Sequence, residues 1–250
     1  MIPEKRLIVN ADEFGRTAGV NAGVLDGHRQ GIVTSASLMV TGSAAAQAAE
    51  LAKETPQLGV GLHVVLADGV PASSIVDAPA LVDRRGLLPA DLAALAVVPA
   101  EQILEETRAQ YRRFRQLMGR LPTHLDTRGN AHSLRPVFEA LVTLAWETGL
   151  PVRGASAAMR SRLRQEDIRT TDEFVDREAG LGAAVSGLLG ELTRLAAGTT
   201  ELRCLPARPD EAQRAAAAGS GERDLALLTD PEVRASVSTL GIRLLHFGQL

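Results

Sequence analysis

The sequence predicts an α/β chain folded as a single distorted (β/α) barrel over residues 1–250, with about seven parallel strands. Three observations predict it. Short apolar runs alternate with amphipathic helical stretches, a rhythm that requires parallel strands joined by right-handed crossovers. Residues able to do chemistry recur at the ends of those runs, where α/β folds gather their sites. No internal repeat or low-complexity linker divides the 250 residues.

Leu7 to Val9 is a first strand that runs into Asp12, Glu13 and Gly15. Thr17 to Gln30 reads as a helix with Val20, Val24 and Leu25 on one face and Gly31 as its stop. Ile32 to Val40 is β-branched and reads as a strand. Ser43 to Lys53 is an alanine-rich helix, and Leu58 to Val65 a third strand with His63 near its end. Leu66 to Pro99 is punctuated by glycines and prolines and reads as a long loop after strand three, placed to cover a site. Ala100 to Met118 is a helix with Ile103, Leu104, Tyr111, Phe114 and Leu117 at helical spacing, stopped by Gly119. Pro122 to Asp126 is a fourth strand, Thr127 to His132 a polar loop, Arg135 to Gly149 a helix and Leu150 to Arg153 a fifth strand. Ala155 to Asp176 gives no clear pattern. Ala179 to Ala197 reads as helix, Thr200 to Leu205 as strand, Pro209 to Arg223 as a mobile loop, Pro231 to Thr239 as helix and Ile242 to Phe247 as the last strand. Tyr111 and Trp146 fall on helix patterns and are expected in the core.

Composition narrows the class. With 45% hydrophobic residues the chain can bury an ordinary core. A net charge of −3 without a basic block argues against nucleic acid as a partner. Aromatics at 3% argue against base-stacking platforms and aromatic-lined sugar grooves. The single Cys204 excludes an internal disulfide and a multi-cysteine zinc site, and its place in a strand predicts burial. No apolar run is long enough to span a bilayer, and the start carries no secretory pattern, so a cytoplasmic protein is expected. Gly59-x-Gly61 lies inside a strand and is too short for a dinucleotide fingerprint, so no nucleotide cofactor is expected.

The strand ends collect Asp12, Glu13, His63, His124, Asp126, Arg128, Asn130, His132 and Arg153. In a barrel these ends converge on one rim. Two adjacent carboxylates repel unless a cation, proton or donor relieves them. Carboxylates with imidazoles suit a divalent metal such as zinc or magnesium. His63 taken alone reads equally well as a core histidine satisfied by a carbonyl, and Arg153 as a grip on a substrate carboxylate or hydroxyl or as a salt-bridge partner.

The stretches Leu7–Gly15 (LIVNADEFG), Gly31–Val40 (GIVTSASLMV), Gly61-Leu-His63 and Pro122–Asp126 (PTHLD) resemble the YdjC-like family, whose known members include chitooligosaccharide deacetylases. The resemblance continues through Leu225–Val233 (LALLTDPEV) and Leu240–Leu244 (LGIRL), so it spans nearly the whole chain in order, and the hopanoid-biosynthesis-associated members look like the nearest branch. It implies a distorted barrel, often a homodimer, and metal-dependent removal of an acetyl group from an N-acetylated sugar. Carried over by position, it makes Asp12 the general base, Glu13 a metal ligand in place of the family's second aspartate, and His63 a second ligand. A bound cation would acidify its water and polarise the amide, and Asp12 would take the proton.

Besides Glu13, four positions depart from the pattern. Arg128 stands where the family has its loop histidine ligand, and a guanidinium coordinates no metal. Asn130 replaces the next histidine, Leu205 stands where a Cys-His-Pro motif carries its histidine, and Glu173 stands where a histidine is common. A cation at Arg128 is itself expected to satisfy Asp12 and Glu13; at ~4 Å one such pair near a surface is worth roughly 4 kcal/mol before desolvation. Three readings follow. One is a deacetylase-type hydrolase with a degenerate metal site of Glu13, His63 and His132. The second is a metal-independent biosynthetic enzyme that works with Asp12, Glu13, Arg128, His63 and His132. The third is a non-catalytic ligand binder. The deacetylase reading ranks first. It assigns Asp12, Glu13, Arg128 and His132 to catalysis. It assigns Arg153, His124, Asp126 and Asn130 to a sugar-like substrate, with His124 and Asp126 acting by orienting the loop.

Overall fold

Strand β1 (Lys5–Phe14) is the spine of the fold, and all its sheet partners run parallel to it. The computed structural model describes residues 4–176, 184–209 and 219–250. In chain order β1 is followed by α1 (Ala18–Gln30), β2 (Ser35–Leu38), α2 (Ala45–Lys53), β3 (Gly59–Val64), α3 (Ala100–Met118), β4 (Leu125–Thr127), α4 (Arg135–Thr148) and α5 (Ala157–Gln165). Then come β5 (Glu173–Asp176), α6 (Val185–Arg194), β6 (Gly198–Cys204), α7 (Ser220–Leu228), α8 (Pro231–Thr239) and β7 (Ile242–Leu244). Among the described residues these strands form one sheet in the order β4-β3-β2-β1-β6-β5, and β7 also pairs with β1. One edge of β1 meets β7 at Lys5–Leu7 and then β2 from Asn10 onward. This is the distorted half-barrel that the alternating pattern predicts.

Helix ends follow local chemistry. The Thr17 hydroxyl accepts the Val20 N–H at the start of α1, and the Ser156 hydroxyl accepts the Met159 N–H at the start of α5. Asp230 caps α8 just before Pro231. Gly119 closes α3 at φ +67°, a left-handed turn that frees its N–H for the Arg115 carbonyl.

Two expectations about elements differ. The expected strand Leu150–Arg153 forms only a single bridge, Val152 to Leu125, because the Arg153 side chain turns inward and the Val152 N–H goes to the Arg169 carbonyl. The next strand in the chain is β5, which pairs with β6 at the opposite edge of the sheet and lies within a stretch whose arginines and acids hide any apolar alternation. The expected helix Ala179–Ala197 is seen as α6, with residues 177–183 outside the described residues. The expected loop Pro209–Arg223 falls mostly on 210–218, also outside them, and its end already belongs to α7.

Side-chain alternation divides the sheet into two faces. Leu7, Val9 and Ala11, with Ala36, Leu38, Val60, Leu62 and Leu125, join the main apolar cluster with the helices. Ile8, Asn10 and Asp12 point the other way, together with Ser37, His63, Asp126, Glu201 and Arg203. The inner face is therefore polar and buried. Gly59 and Gly61 make room on it: a Cβ at Gly61 would lie 2.2 Å from His124 Cε1, and one at Gly59 would lie 2.5 Å from His246 Cβ.

The long 66–99 segment is packed rather than loose. Leu81, Leu88 and Leu95 are buried, and the carboxylate of Glu106 accepts the N–H groups of Ala72 and Ser73 at 2.8 Å each. Gln110 brackets Val65 on both its N–H and its carbonyl. No helix among the described residues is long and apolar enough to cross a membrane. Trp146 differs from expectation: it is 58% exposed, on the outer side of α4, where its indole N–H reaches the Glu166 carbonyl. Tyr111 packs partly buried against the core, and Cys204 is buried as expected.

Candidate active site

The two acids that end β1 occupy one cavity, which a regular strand would forbid because adjacent side chains face opposite ways. The pairing of β1 with β2 slips between Ala11 and Phe14, and Glu13 adopts φ +63°, a left-handed conformation uncommon for a side-chain-bearing residue. Asp12 and Glu13 therefore both line a cavity of about 760 Å³, whose walls include Asp68, Leu92, Arg128 and Arg203.

Each acid has its own cations. Asp12 is 1% exposed and accepts Arg153 Nη2 at 2.7 Å on Oδ1, Arg153 Nη1 at 3.0 Å and Arg203 Nε at 2.7 Å on Oδ2, and Asn10 Nδ2 at 3.0 Å on Oδ1. Burial pushes its carboxyl up, but the Arg153 guanidinium and His63 outweigh that and hold it below the usual range. Glu13 pairs with Arg16 and accepts Arg128 Nε at 3.1 Å. Burial raises its carboxyl too, and those two arginines bring it below its ordinary value. Arg128 also reaches Asp68 and the Ala67 carbonyl. The expectation that Arg128 would satisfy both acids is thus met only for Glu13. The cations of Asp12 are Arg153 and Arg203, because the left-handed turn at Glu13 separates the two carboxylates.

Behind Asp12 lies a fully buried network. Asp126 accepts His63 Nδ1 at 2.9 Å on Oδ1 and the Ser37 hydroxyl at 2.7 Å on Oδ2, and Oδ2 forms an ion pair with Arg153 Nη1 at 2.8 Å. Burial opposes ionisation of Asp126, but Arg153 and His63 dominate and keep it charged. Burial lowers the His63 imidazole, and the Asp126 and Asp12 charges more than restore it, so its pKa is raised. The single Ser37 proton goes to Asp126, so His124 Nε2 at 3.1 Å donates to Ser37, and His124 Nδ1 takes the Thr123 hydroxyl at 3.0 Å. That fixes His124 as a neutral imidazole. It is stacked on Phe247 at 4.0 Å, and burial depresses its pKa to about 3. His132 is held by Thr127 through Nδ1, and burial with the Arg153 charge lowers it to about 4.

Arg153 binds three carboxylates at once. Besides Asp12 and Asp126, Glu201 Oε1 accepts its Nε–H at 2.8 Å and forms an ion pair with Nη2 at 2.7 Å. Glu201, Arg203, Ser37 and Asn10 went unnoticed in the sequence reading. The signal for the first two was present in Glu201-Leu202-Arg203, charged residues two apart inside a strand, which marks a charged inner face.

The expected site residues therefore divide. Asp12, Glu13 and Arg128 line the cavity. Arg153, His124 and Asp126 have no exposed surface and stand behind Asp12, with Asp126 paired to Arg153 and linked to His124 through Ser37. His63 and His132 are buried, and Asn130, at φ +52°, completes the tight turn after Arg128.

Among the described residues, Asp12, His63 and Asp126 each bring one ligand-capable atom within 4.8 Å of the other two. His63 Nε2 and His132 Nε2 are buried with no hydrogen-bond partner. An imidazole whose Nδ1 rests on a carboxylate while Nε2 stays open is the arrangement of a histidine metal ligand. The donors fit a divalent ion. Glu13 and His132 both feel the His63 charge, but they are not in the 4.8 Å group.

The family model for YdjC-like proteins matches residues 6–239. The chain belongs to the YdjC-like family. A carbohydrate deacetylase of Geobacillus stearothermophilus is 36% identical over 243 residues, covering 96% of each chain. A chitooligosaccharide deacetylase of Klebsiella pneumoniae strain 342 is 35% identical over 250 residues, covering 96% of this chain and 97% of the relative. A crystal structure of an Enterococcus faecalis V583 protein superposes with a TM-score of 0.88 at 28% identity, covering 98% of both chains. The Xyl-CE4 domain of a xylanase from a termite hindgut metagenome, at TM-score 0.55 and 9% identity, shares the fold with this family member.

Proposed function

We propose that this chain is a hydrolase that removes the acetyl group from an N-acetylated sugar or sugar-like substrate. Support comes from the deacetylase relatives, similar over nearly their full length, and from the site itself. The observation that carries the reading is Asp12: a buried, ionised carboxylate in the wall of the cavity, clamped by two guanidiniums and set beside buried imidazoles.

Asp12 is the general base. A water in the cavity attacks the amide carbonyl and gives its proton to Asp12; the C–N bond then breaks, acetate leaves and the amine takes up a proton. Arg153 and Arg203 fix the carboxylate in orientation and keep it ionised, so it is ready at neutral pH. A divalent metal, held by His63 through Nε2 with carboxylate oxygens of this cluster, would polarise the carbonyl and acidify the water. Arg128 pairs with Glu13, so it competes with any cation for that carboxylate, and this pairing is what makes the metal site degenerate in our reading. We extend the reading to a homodimer, which light scattering tests.

The direct test is acetate release from N-acetylglucosamine oligosaccharides by the purified chain with added zinc or magnesium. Acetate from the wild type and at least about a hundredfold less from Asp12→Asn is the expected result. No acetate under either metal would overturn the proposal.

A further inference from the structure

Three Arg153 N–H bonds are hydrogen-bonded, Nε to Glu201 and one from each Nη to Asp12, and Nη1 and Nη2 also form ion pairs with Asp126 and Glu201 at 2.8 and 2.7 Å. It is 0% exposed, and the Phe174 ring lies over its guanidinium at 5.6 Å. The cation is therefore fixed from every side by groups of this chain. Two of its carboxylates, Asp12 and Asp126, belong to the site already described. The third does not. Glu201 is wholly buried, stands opposite Ile8 on β1, accepts the Nε–H on Oε1 and ion-pairs with Nη2 through the same oxygen. Its second oxygen, Oε2, is buried and has no hydrogen-bond partner. A buried half-satisfied carboxylate is costly, and such an exception needs an explanation.

We infer that Glu201 is a positioning residue: through Arg153 it fixes the orientation of Asp12 and tunes the positive charge that Asp12 feels, without itself reaching the cavity. The inference rests on the reading of Asp12 as the base. The geometry is a lever. Glu201 grips the Nε–Nη2 side of the guanidinium, and Nη2 and Nη1 are then directed to the two oxygens of Asp12. Without the Glu201 grip the planar group can rotate about its own axis towards Asp126, and the end-on pair with Asp12 is lost.

The charge of Glu201 is adjustable. Burial pushes its carboxyl up to about 7, with Arg153 pulling it down and the Asp126 and Asp12 charges adding to the rise. The groups facing it are Arg153, Asp126 from β4 and Asp12 from β1; β5 presents Phe174 in register, and Arg203 follows two residues along its own strand. Near neutral pH, Glu201 therefore takes on or gives up negative charge directly against the cation that serves Asp12.

The experiment compares wild type with Glu201→Gln by kinetics and by 15N NMR of the Arg153 Nε–H, assigned by its loss in Arg153→Lys. Glu201→Gln should lower kcat at least about tenfold while KM stays within about twofold, the pattern of lost orientation rather than lost binding. The wild-type Nε–H resonance should step near pH 7, and the step should be absent from Glu201→Gln. A flat wild-type resonance overturns the inference, and it needs only the wild-type fold. A step that survives in Glu201→Gln assigns it to His63 and overturns the inference as well, as does unchanged kcat. A wild type that releases no acetate but shows the Glu201-dependent step defeats the deacetylase reading while leaving the Glu201–Arg153 coupling in place.

Discussion

Arg153 meets Asp12 end-on, Nη2 to Oδ1 at 2.7 Å and Nη1 to Oδ2 at 3.0 Å, with both side chains shut off from solvent. Bidentate pairing of this kind fixes the plane of the carboxylate as well as its charge. In a site that must present one oxygen to a water, that orientation matters as much as ionisation.

Asp12→Asn keeps the shape and removes the base. Acetate release should fall by about 10²–10⁴-fold. Asp12→Ala also leaves two buried guanidiniums short of a partner, so urea denaturation should show a loss of roughly 3–5 kcal/mol. Equal turnover in wild type and Asp12→Asn would remove Asp12 from the mechanism.

Arg128→Ala frees Glu13 from one of its two cations. Calorimetric titration with zinc should then show tighter binding than wild type, by about tenfold, corresponding to ~1.4 kcal/mol. Unchanged affinity would mean that Glu13 does not contribute to metal binding.

His124 and His132 are kept neutral, with pKa values depressed to about 3 and about 4 from an ordinary 6.5. As pH falls below 6.5 the unfolded chain binds protons that the folded chain refuses, so stability is lost from there down towards pH 4. Denaturation midpoints at pH 7, 5.5 and 4.5 should decline in that order. His132→Asn should flatten the decline; the same slope in that variant would show that His132 does not titrate on unfolding.

Gly61→Ala drives a methyl into the His124 ring, 2.2 Å from Cε1. His124 cannot retreat, because Phe247 is stacked against it and Ser37 and Thr123 hold both nitrogens. Overpacking should destabilise the chain by about 1–3 kcal/mol in a denaturant melt. A melt identical to wild type would mean that the inner face has slack.

Glu106→Ala strips the Ala72 and Ser73 N–H groups of their acceptor. The 66–99 segment supplies Ala67, Asp68, Ala90 and Leu92 to the cavity wall, so limited proteolysis within it should quicken and KM should rise. Unchanged cleavage would place the anchoring elsewhere, on the buried Leu81, Leu88 and Leu95.

The sequence by itself determined the class of fold, the helices at Ala100–Met118 and Pro231–Thr239, and the meeting of Asp12, Glu13, His63, Asp126 and Arg153 near one end of the sheet. Those features are local: a periodicity, a cap, a glycine stop, an acid after an apolar run. It misjudged Leu150–Arg153 and left β5 unread, because whether a short stretch pairs as a strand depends on a neighbour far along the chain. Only the tertiary structure decided which cation serves which acid. Arg128 and Arg153 are equal candidates by residue type and order, and the choice turns on the left-handed backbone at Glu13 and the inward rotation of Arg153. The same holds for Glu201: on paper it is one charged residue in a strand, and its partner Arg153 lies 48 residues earlier in the chain. Ion pairs fall off with distance in space, and distance in space between remote strands is set by packing, which no local pattern records.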